Sequence, residues 1–384
     1  MAVNLENYKE VDNILTFTLH VPGTAYSNAI RRVCMSSIPA TVFKTFPYES
    51  NQCEIKANST RSNNEIIKQR LSCIPIHIPD VPINFNDLVL ELDVQNNSND
   101  IILVTTEHFK VKDTHTNNYL DDAIVRQMFP PFIPPHSGSD NKYYIEFIHL
   151  YPKISENISG EHIKLSCLFS TGTSAEDGSY NMVSTLGVGF TPDRVKMAEE
   201  LEKHKQEWRD NGKSKSQISF DAKNWELLEG LRYVIKNSYD FTVETVGTYS
   251  NNKLMILSCE ILLDMLLQLY RNIGDEVNPV NIKQAETTIE NCFDVALPND
   301  TYTISNILNS NIIDMFYQNP DTSLNTVSFI GVKKMHPHAP DTLLRIAYFD
   351  KGADTERVRQ TLIDAIEYGM KIVKEVKAKF DAKE

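Results

Sequence analysis

The sequence predicts an α+β fold in which two related half-domains pack on each other as a pseudo-dimer within one chain. The main observation is a segment that occurs twice, once at residues 17–39 and again at residues 293–316. Each copy alternates apolar and polar residues up to a proline, passes through a polar turn and continues with an apolar-Ser-Asn-x-apolar pattern. A second observation is a β-rich block that interrupts the first half. A repeat with so long a period indicates paired half-domains and not a solenoid.

The first half begins with a predicted strand and helix. Alternation over residues 15–21 predicts the strand, and the spacing of Ile30 and Val33 predicts a helix that ends near Pro39. Arg31 and Arg32 fall outside the apolar stripe of that helix. A solvated helix face is one interpretation of this arginine pair, and a contact with a partner is the other.

The interrupting block is predicted to be mainly β-structure. A short helix is predicted at residues 64–71, which contain Arg70. Alternating segments predict strands at residues 88–94, 101–111, 143–150 and 162–170. The proline-rich segment at residues 128–141 predicts a loop, because pairs of prolines exclude regular strand pairing.

The first half is predicted to end in helices separated by a strand. The charged segment at residues 192–212 predicts a helix, with Pro192 and Gly212 at positions typical of its two ends. A solvated surface helix and a partner-binding helix both remain open for it. Residues 241–246 predict a strand. Residues 254–270, which include Leu262 and Leu266, predict a helix that is apolar on most faces and therefore packed on several sides.

The second half repeats this order after a predicted linker at residues 274–284. Its copy of the repeated helix contains Ile307 and Leu308, and strands are predicted at residues 326–332 and 343–349. A closing helix is predicted at residues 355–380, where the apolar positions are spaced by three and four residues. This stripe, which includes Leu362, Ile366 and Val373, predicts packing against another helix.

Composition excludes several classes of protein. The formal net charge of −13 argues against nucleic acid as the main direct partner. No apolar run reaches the roughly 18 residues of a membrane span, and the polar N-terminus is unlike a secretory signal, so an intracellular protein is expected. The six cysteines form no C-x-x-C pair and are expected to be reduced and mostly buried.

The sequence predicts no catalytic residue, cofactor site or metal site. It contains no phosphate-binding loop motif, no G-x-S-x-G, no H-E-x-x-H and no aspartate-rich magnesium motif. His336 and His338 are separated by one proline, which gives poor geometry for a shared ion. A loop packing on the first half is the preferred interpretation of this segment.

Four segments of the first half resemble the RNA polymerase α family. This family comprises the N-terminal domain of the bacterial α subunit, the archaeal D subunit and the third subunit of eukaryotic RNA polymerase II. The family's signature helix is similar to SNAIRRVCMSSIPATVF, and its second motif resembles NSTRSNNEIIKQRLSCIPIHI. Its third motif resembles HIKLSCLFSTGTSAEDGSYNMVSTLGVGF, and the strand before its last helix resembles YDFTVETVG.

The final hundred or so residues are similar to the small partner subunit of that family, the archaeal L or eleventh eukaryotic subunit. The resemblance is carried by NDTYTISNILNSNII, by FIGVKKMHPHAPDTLLRIAY and by the closing helix. Such a fusion is associated with large nucleocytoplasmic DNA viruses.

The chain departs from the family pattern at Gln69, where the family has histidine, and at Asn309, where arginine is common. Its cysteines are too scattered for the zinc or iron–sulfur sites of some relatives.

The resemblance implies a domain layout and a set of interface residues. Residues 1–44 and 187–273 would form the first dimerisation domain, residues 45–186 a β-rich insert and residues 285–384 the second dimerisation domain. The expected large-subunit interface consists of Arg31, Arg32 and Arg70. The expected pseudo-dimer interface consists of Ile30, Val33, Leu262, Leu266, Ile307, Leu308, Leu362, Ile366 and Val373.

The resemblance further implies a non-catalytic assembly-platform subunit of a multisubunit DNA-directed RNA polymerase, acting in transcription. Its expected partners are the second-largest and largest subunits and a small subunit of the same assembly, with DNA contacted only indirectly and no membrane contact. If the source is viral, the host cytoplasm and the virion are the expected locations. A dimerising scaffold outside transcription and a direct nucleic-acid-binding protein remain as alternatives.

Overall fold

The computed structural model describes residues 3–78, 83–134, 142–155, 158–274 and 280–383. The strands are β1 (Asn4–Val11), β2 (Ile14–His20), β3 (Pro39–Val42), β4 (Cys53–Asn58), β5 (Leu88–Gln95), β6 (Ile102–Thr105), β7 (Lys110–Asp113), β8 (Glu146–Leu150), β9 (His162–Leu168), β10 (Ser170–Thr173), β11 (Val183–Pro192), β12 (Val234–Thr245), β13 (Asn281–Gln284), β14 (Cys292–Leu297), β15 (Val327–Lys333) and β16 (Thr342–Tyr348). The helices are α1 (Thr24–Ser36), α2 (Asn64–Ser72), α3 (Asp122–Met128), α4 (Arg194–Asp210), α5 (Lys215–Leu227), α6 (Asn251–Gly274), α7 (Thr303–Ile312) and α8 (Thr355–Asp381). The predicted α+β class is confirmed, with the strands divided among several sheets.

The chain divides into two compact units. Unit 1 consists of Met1–Cys34, Thr185–Glu244 and Asn251–Glu384, and unit 2 consists of Met35–Ser184 and Thr245–Ser250. Most residues of the segments predicted as dimerisation domains fall in unit 1, whereas residues 35–44 and 245–250 fall in unit 2. Unit 2 begins at Met35, in the last turn of α1, and includes β3, which pairs with β10; the predicted insert begins at residue 45.

The predicted linker at residues 274–284 is partly a strand. Its last residues form β13, which pairs with β14 in antiparallel register from Asn281 opposite Ala296 to Gln284 opposite Phe293. Residues 275–279 of the predicted linker lie outside the described residues. Three of the four residues of β13 are polar, so no apolar alternation marks this short segment as a strand in the sequence.

Unit 1 contains two four-stranded sheets with equivalent strand orders, β1-β2-β12-β11 and β13-β14-β16-β15. We call β1, β2, α1, β11, β12 and α6 the first half of unit 1, and β13, β14, α7, β15, β16 and α8 the second half. Each half begins with an antiparallel hairpin, continues through a helix and two more strands, and ends in a long helix. The repeat seen in the sequence is therefore a repeat of topology.

The helices of unit 1 share one interior. Helix α6 packs along α8, and α7 packs on α8. A Cβ atom built on Gly369 of α8 would lie 3.5 Å from Cγ2 of Ile307 and 3.7 Å from Cδ1 of Leu266, so α6, α7 and α8 meet at this glycine. The ring of Phe17 in β2 meets the ring of Phe380 in α8 edge-on, with their centroids 5.2 Å apart. Aromatic packing of this kind stabilises the contact between a sheet of one half and the closing helix of the other.

Unit 2 is rich in β-structure, as the sequence predicts. It contains the four-stranded sheet β4-β9-β5-β7, the strand pairs β10-β3 and β6-β8, and helices α2 and α3. Its core includes the rings of Phe43, Phe109, Phe129 and Phe147, which contact one another. Cys53 and Cys167 face each other across β4 and β9.

Most cysteines are buried, as the composition predicts. Cys73 is exposed and the other five cysteines are buried, none of them in a disulfide. Along the described ranges, no helix is both long and apolar enough to span a bilayer.

We predict that Val373→Asp strongly destabilises the chain. Val373 lies in α8 with no exposed surface, so the substitution buries a carboxylate without a partner and should cost about 3 kcal/mol or more. Urea unfolding followed by circular dichroism measures this loss. The control Lys374→Asp, on the exposed side of the same helix, should change the free energy of unfolding by less than about 1 kcal/mol. Equal unfolding midpoints for the two variants would contradict the packing described for α8.

Candidate interaction groove between helices α1 and α7

A groove with a volume of about 480 Å³ lies in unit 1 between α1 and α7. Val188 and Phe190 of β11 and Tyr239 of β12 contribute an apolar surface to it. The ring of Phe190 packs on that of Tyr239 with centroids 5.6 Å apart, yet 53% of Phe190 is exposed. The groove therefore combines helix walls with an accessible aromatic surface at the edge of a sheet.

The two repeated segments supply equivalent residues to the walls of the groove. Asn28 and Asn306 are the asparagines of the two apolar-Ser-Asn-x-apolar patterns, and Arg31 and Asn309 follow them three residues later. All four side chains line the groove. Because one wall has a guanidinium where the other has an amide, the groove is electrostatically asymmetric although its walls are repeats.

Arg31 is held in place by its own helix. Its Nε and Nη2 donate to Oδ1 of Asn28 over 3.1 and 2.9 Å. The side chain is partly exposed, so the guanidinium is oriented without being enclosed. On the opposite wall, Oδ1 of Asn309 is buried without a hydrogen-bond partner among the described residues. An unpaired buried acceptor is costly and marks this wall as incompletely satisfied.

Arg32 connects α1 to the segment that leads into α7. Its Nε donates to Oγ1 of Thr303 over 3.0 Å, and its Nη2 donates to Oγ1 of Thr301 over 2.9 Å. These two bonds are internal to unit 1 and involve hydroxyl groups, whereas a solvated helix face and a contact with a partner were the two interpretations of Arg32 from the sequence. A large-subunit contact by Arg32 stays a prediction.

Arg70 belongs to unit 2 and is not part of the groove. It is an exposed residue of α2 whose Nε donates to the carbonyl oxygen of Phe147 over 2.7 Å and whose Nη2 donates to that of Glu146 over 3.1 Å. The guanidinium thus fastens α2 to β8. Its expected role at a large-subunit interface also stays a prediction.

The nine apolar residues expected at the pseudo-dimer interface are all buried in unit 1, each with at most 1% of its surface exposed. They are Ile30, Val33, Leu262, Leu266, Ile307, Leu308, Leu362, Ile366 and Val373. The helical periodicity used to choose them therefore identified inward-facing positions on α1, α6, α7 and α8.

A buried polar contact that the sequence does not predict joins three helices of unit 1. The hydroxyl of Tyr26 in α1 donates to Oδ1 of Asn311 in α7 over 2.6 Å, and Nδ2 of Asn311 donates to the carbonyl oxygen of Ala365 in α8 over 2.8 Å. Tyr26 and Asn311 have no exposed surface, and burial raises the pKa of the Tyr26 hydroxyl above its usual range. The available signal was that Asn311 lies at helical spacing from Ile307 and Leu308, on the apolar face.

The start of each repeated helix is fixed by local chemistry. The carboxylate of Asp300, which is 8% exposed, accepts hydrogen bonds from the backbone N–H groups of Thr303 and Ser305 at the start of α7. Gly23 precedes α1 with a φ of +83°, and a Cβ atom there would lie 2.9 Å from Oγ of Ser310. Glycine therefore permits both the left-handed turn into α1 and the close approach of α7.

The groove has the chemistry of a recognition surface. Its described lining residues offer a guanidinium, amides, hydroxyls and aromatic rings, but no carboxylate, imidazole or thiol. Such a lining can bind a polypeptide through hydrogen bonds and apolar contact, and it lacks a pair of groups for general acid–base catalysis.

His336 and His338 lie outside the groove. Both are exposed, which does not fit the expected packing of their loop on the first half. Across the described ranges, no cluster of three or more His, Cys, Asp or Glu residues could hold a metal ion.

We predict that Tyr26→Phe destabilises unit 1 without changing its shape. Loss of the hydroxyl leaves Oδ1 of Asn311 buried and unpaired, which should cost about 1–3 kcal/mol. Urea unfolding measures the change. The control Tyr302→Phe removes a hydroxyl from a side chain that is 40% exposed, and it should cost less than about 0.5 kcal/mol. A Tyr26→Phe protein as stable as this control would show that the contact with Asn311 contributes nothing.

Comparison with known proteins identifies no relative from which a function could be transferred. No protein-family model matches the chain, and no curated protein matches its sequence. The function is therefore inferred from the chain's own residues and geometry, together with the motif resemblances described above.

Proposed function

We propose that this chain is a non-catalytic assembly-platform subunit of a multisubunit DNA-directed RNA polymerase. Its two halves would form an intramolecular pseudo-dimer, and unit 2 would be the β-rich insert of the first half. The observation that carries the proposal is the duplicated topology of unit 1, in which two sheets of equivalent strand order share one helical interior. Of the segments that resemble the RNA polymerase α family and its small partner, those at 239–247 and 299–348 lie mainly in unit 1, whereas residues 58–78 and most of 162–190 lie in unit 2.

The contacts between the halves support a pseudo-dimer. Helix α6 of the first half packs along α8 of the second, and Tyr26 of the first half bonds Asn311 of the second. Nδ2 of Asn252 in α6 also donates to the carbonyl oxygen of Phe380 in α8 over 3.1 Å. Two separate chains would lose translational freedom on forming such an interior. Fusion avoids most of that loss, since tethering gives an effective concentration of roughly millimolar or more.

The groove supports a role in binding another protein. It lies where the two halves adjoin, so it is complete only when both are folded. A platform with this property would present its binding surface to the second-largest subunit, and through it to the largest, only after its own assembly. A small subunit of the same assembly is a further proposed partner. DNA would be contacted indirectly, because the net charge of −13 disfavours direct binding to phosphates.

Co-purification of the tagged full-length chain from its native source tests this function. The expected result is recovery of the two large polymerase subunits, identified by mass, together with template-dependent RNA synthesis by the recovered assembly. The isolated chain should fold and show no nucleotidyl transfer. Template-dependent synthesis by the isolated chain, or recovery of the chain without either large subunit, would overturn the proposal.

We predict that Arg31→Ala weakens recovery of the second-largest subunit about tenfold, since a hydrogen bond to a charged group contributes roughly 1.5–3 kcal/mol. Thermal melting should show that the variant still folds, because the Arg31 side chain is partly exposed on the surface of α1. Immunoblotting of the co-purified subunit measures recovery. The control Arg271→Ala removes an exposed guanidinium outside the groove and should leave recovery unchanged. Equal recovery by the two variants would show that Arg31 makes no partner contact.

The matching substitution at Arg32 separates partner binding from folding. Arg32→Ala removes the hydrogen bonds to Thr301 and Thr303, so it should lower stability by about 1–2 kcal/mol. A double substitution of Arg31 and Arg32 would mix these two effects. The single variants distinguish an arginine that faces a partner from one that joins α1 to α7.

A further inference from the structure

We propose that the outer edge of β11 binds an extended segment of a different polypeptide as an added strand, with an acidic side chain of that segment beside Arg31. The inference specifies how the partner in the proposed function is held, and in that respect it rests on that function. Strand addition supplies backbone hydrogen bonds for affinity, while side chains that enter adjacent pockets supply specificity.

Strand β11 is an outer strand of its sheet and carries none of the charged side chains that commonly protect such strands. Among the described residues no other strand pairs with its outer edge, and its ten residues, VSTLGVGFTP, include none that is charged. Exposed edges normally carry charges, bulges or other features that prevent pairing with another chain. An edge of this length without charge is suited to accept an additional strand.

The other outer strands of unit 1 do carry protection. Strand β1 has a register shift between Glu6 and Lys9, both of which are charged. Strand β13 is four residues long and contains Lys283. Strand β15 has a register shift between Val327 and Phe329. Strand β15 occupies in the second sheet the position that β11 occupies in the first, and it ends in Lys333, so the absence of charge on β11 is specific to that strand and not to the topology.

Two glycines leave open space along β11. A Cβ atom built on Gly187 or on Gly189 would have no other atom within 4 Å, and neither residue has a positive φ. The fold of the chain therefore does not require glycine at either position. Glycine in a strand is often found where another backbone approaches closely, and an added strand is such a backbone.

The groove continues the surface of β11. Val188, Gly189 and Phe190 of this strand line it, so a segment paired with β11 would place side chains over the half-exposed ring of Phe190. Arg31 is the one charged residue among the described lining residues of the groove, and Asn28 orients its guanidinium. A carboxylate on the added segment would form a charge-assisted hydrogen bond with it, which is stronger than a neutral one.

Charge also favours a different polypeptide over a second copy of this chain. A second copy pairing through its own β11 would bring no carboxylate to Arg31, because that strand contains neither Asp nor Glu. Two chains that each carry a formal charge of −13 would also repel each other. The partner is therefore expected to present an extended segment whose one charged side chain is an Asp or Glu at the position facing Arg31.

Hydrogen–deuterium exchange tests the inference on the full-length chain, alone and in the assembly co-purified from its native source. Residues 183–192 should exchange at least tenfold more slowly in the assembly, since their outward N–H groups gain partners. The outer strand β1 should exchange equally in both samples. Unchanged exchange at 183–192 in an assembly that contains both large subunits would overturn strand addition and leave the proposed function standing.

The other outcomes of the exchange experiment are also distinct. Slowed exchange at 183–192 in an assembly without polymerase subunits would support strand addition and overturn the proposed function. Slowed exchange that grows with the concentration of the isolated chain would identify a second copy as the occupant and overturn the inference.

A pair of charge variants provides an independent measurement. Gly187→Glu combined with Gly189→Glu places carboxylates on the edge in positions with open space, so folding should survive and recovery of the partner should fall at least tenfold. The control Asn281→Glu combined with Gln284→Glu adds the same charge to exposed positions of β13 and should leave recovery unchanged. Thermal melting checks that both proteins fold. Equal recovery by the two double variants would overturn the inference.

Discussion

The buried amide of Asn311 is the contact on which the arrangement of unit 1 depends. It accepts a hydrogen bond from Tyr26 of α1 and donates one to the carbonyl oxygen of Ala365 in α8. An amide in an apolar interior is costly unless both of its polar atoms are paired. Only a packing that brings all three helices together satisfies it, and Gly369 allows the close approach, since a Cβ atom there would lie 3.2 Å from Nδ2 of Asn311. Apolar contacts stabilise the interior, while this amide selects one way of forming it.

The groove follows from that packing. Once α1 and α7 are placed together, the equivalent faces of the two repeated segments lie on opposite walls. Duplication alone would give two walls of the same chemistry. Arg31 opposite Asn309 breaks that equivalence, and Arg32 has a separate task in holding the segment before α7. The two halves can therefore share one interior through common residues and still present a surface that distinguishes one partner from another.

The sequence predicts the long elements of this fold better than its short ones. The apolar stripe ending at Phe380 predicted α8 at 355–380 against the observed Thr355–Asp381, because burial along a whole helix produces a clear period. Helix α5 was missed, although Ser214 and Gln217 form a capping box at its start, since its residues carry little apolar periodicity. Strand β13 and helix α3 were missed because they are short and are stabilised by tertiary contacts. The candidate site was predicted in part: helical spacing identifies the face on which Arg32 lies, but only the folded chain shows which hydroxyls it meets.

The uncharged edge of β11 offers an explanation for the different chemistry of the two walls of the groove. A long uncharged edge exposes a chain to unwanted pairing, which explains the charges and register shifts on the other outer strands of unit 1. The same liability would be acceptable on a strand that the proposed partner covers. β11 is also the outer strand that contributes to the groove containing Arg31, so the surface prone to pairing and the charge that discriminates between partners occur together. Backbone hydrogen bonds alone would accept any extended segment. The guanidinium beside them restricts that acceptance to a segment with a carboxylate in the matching position.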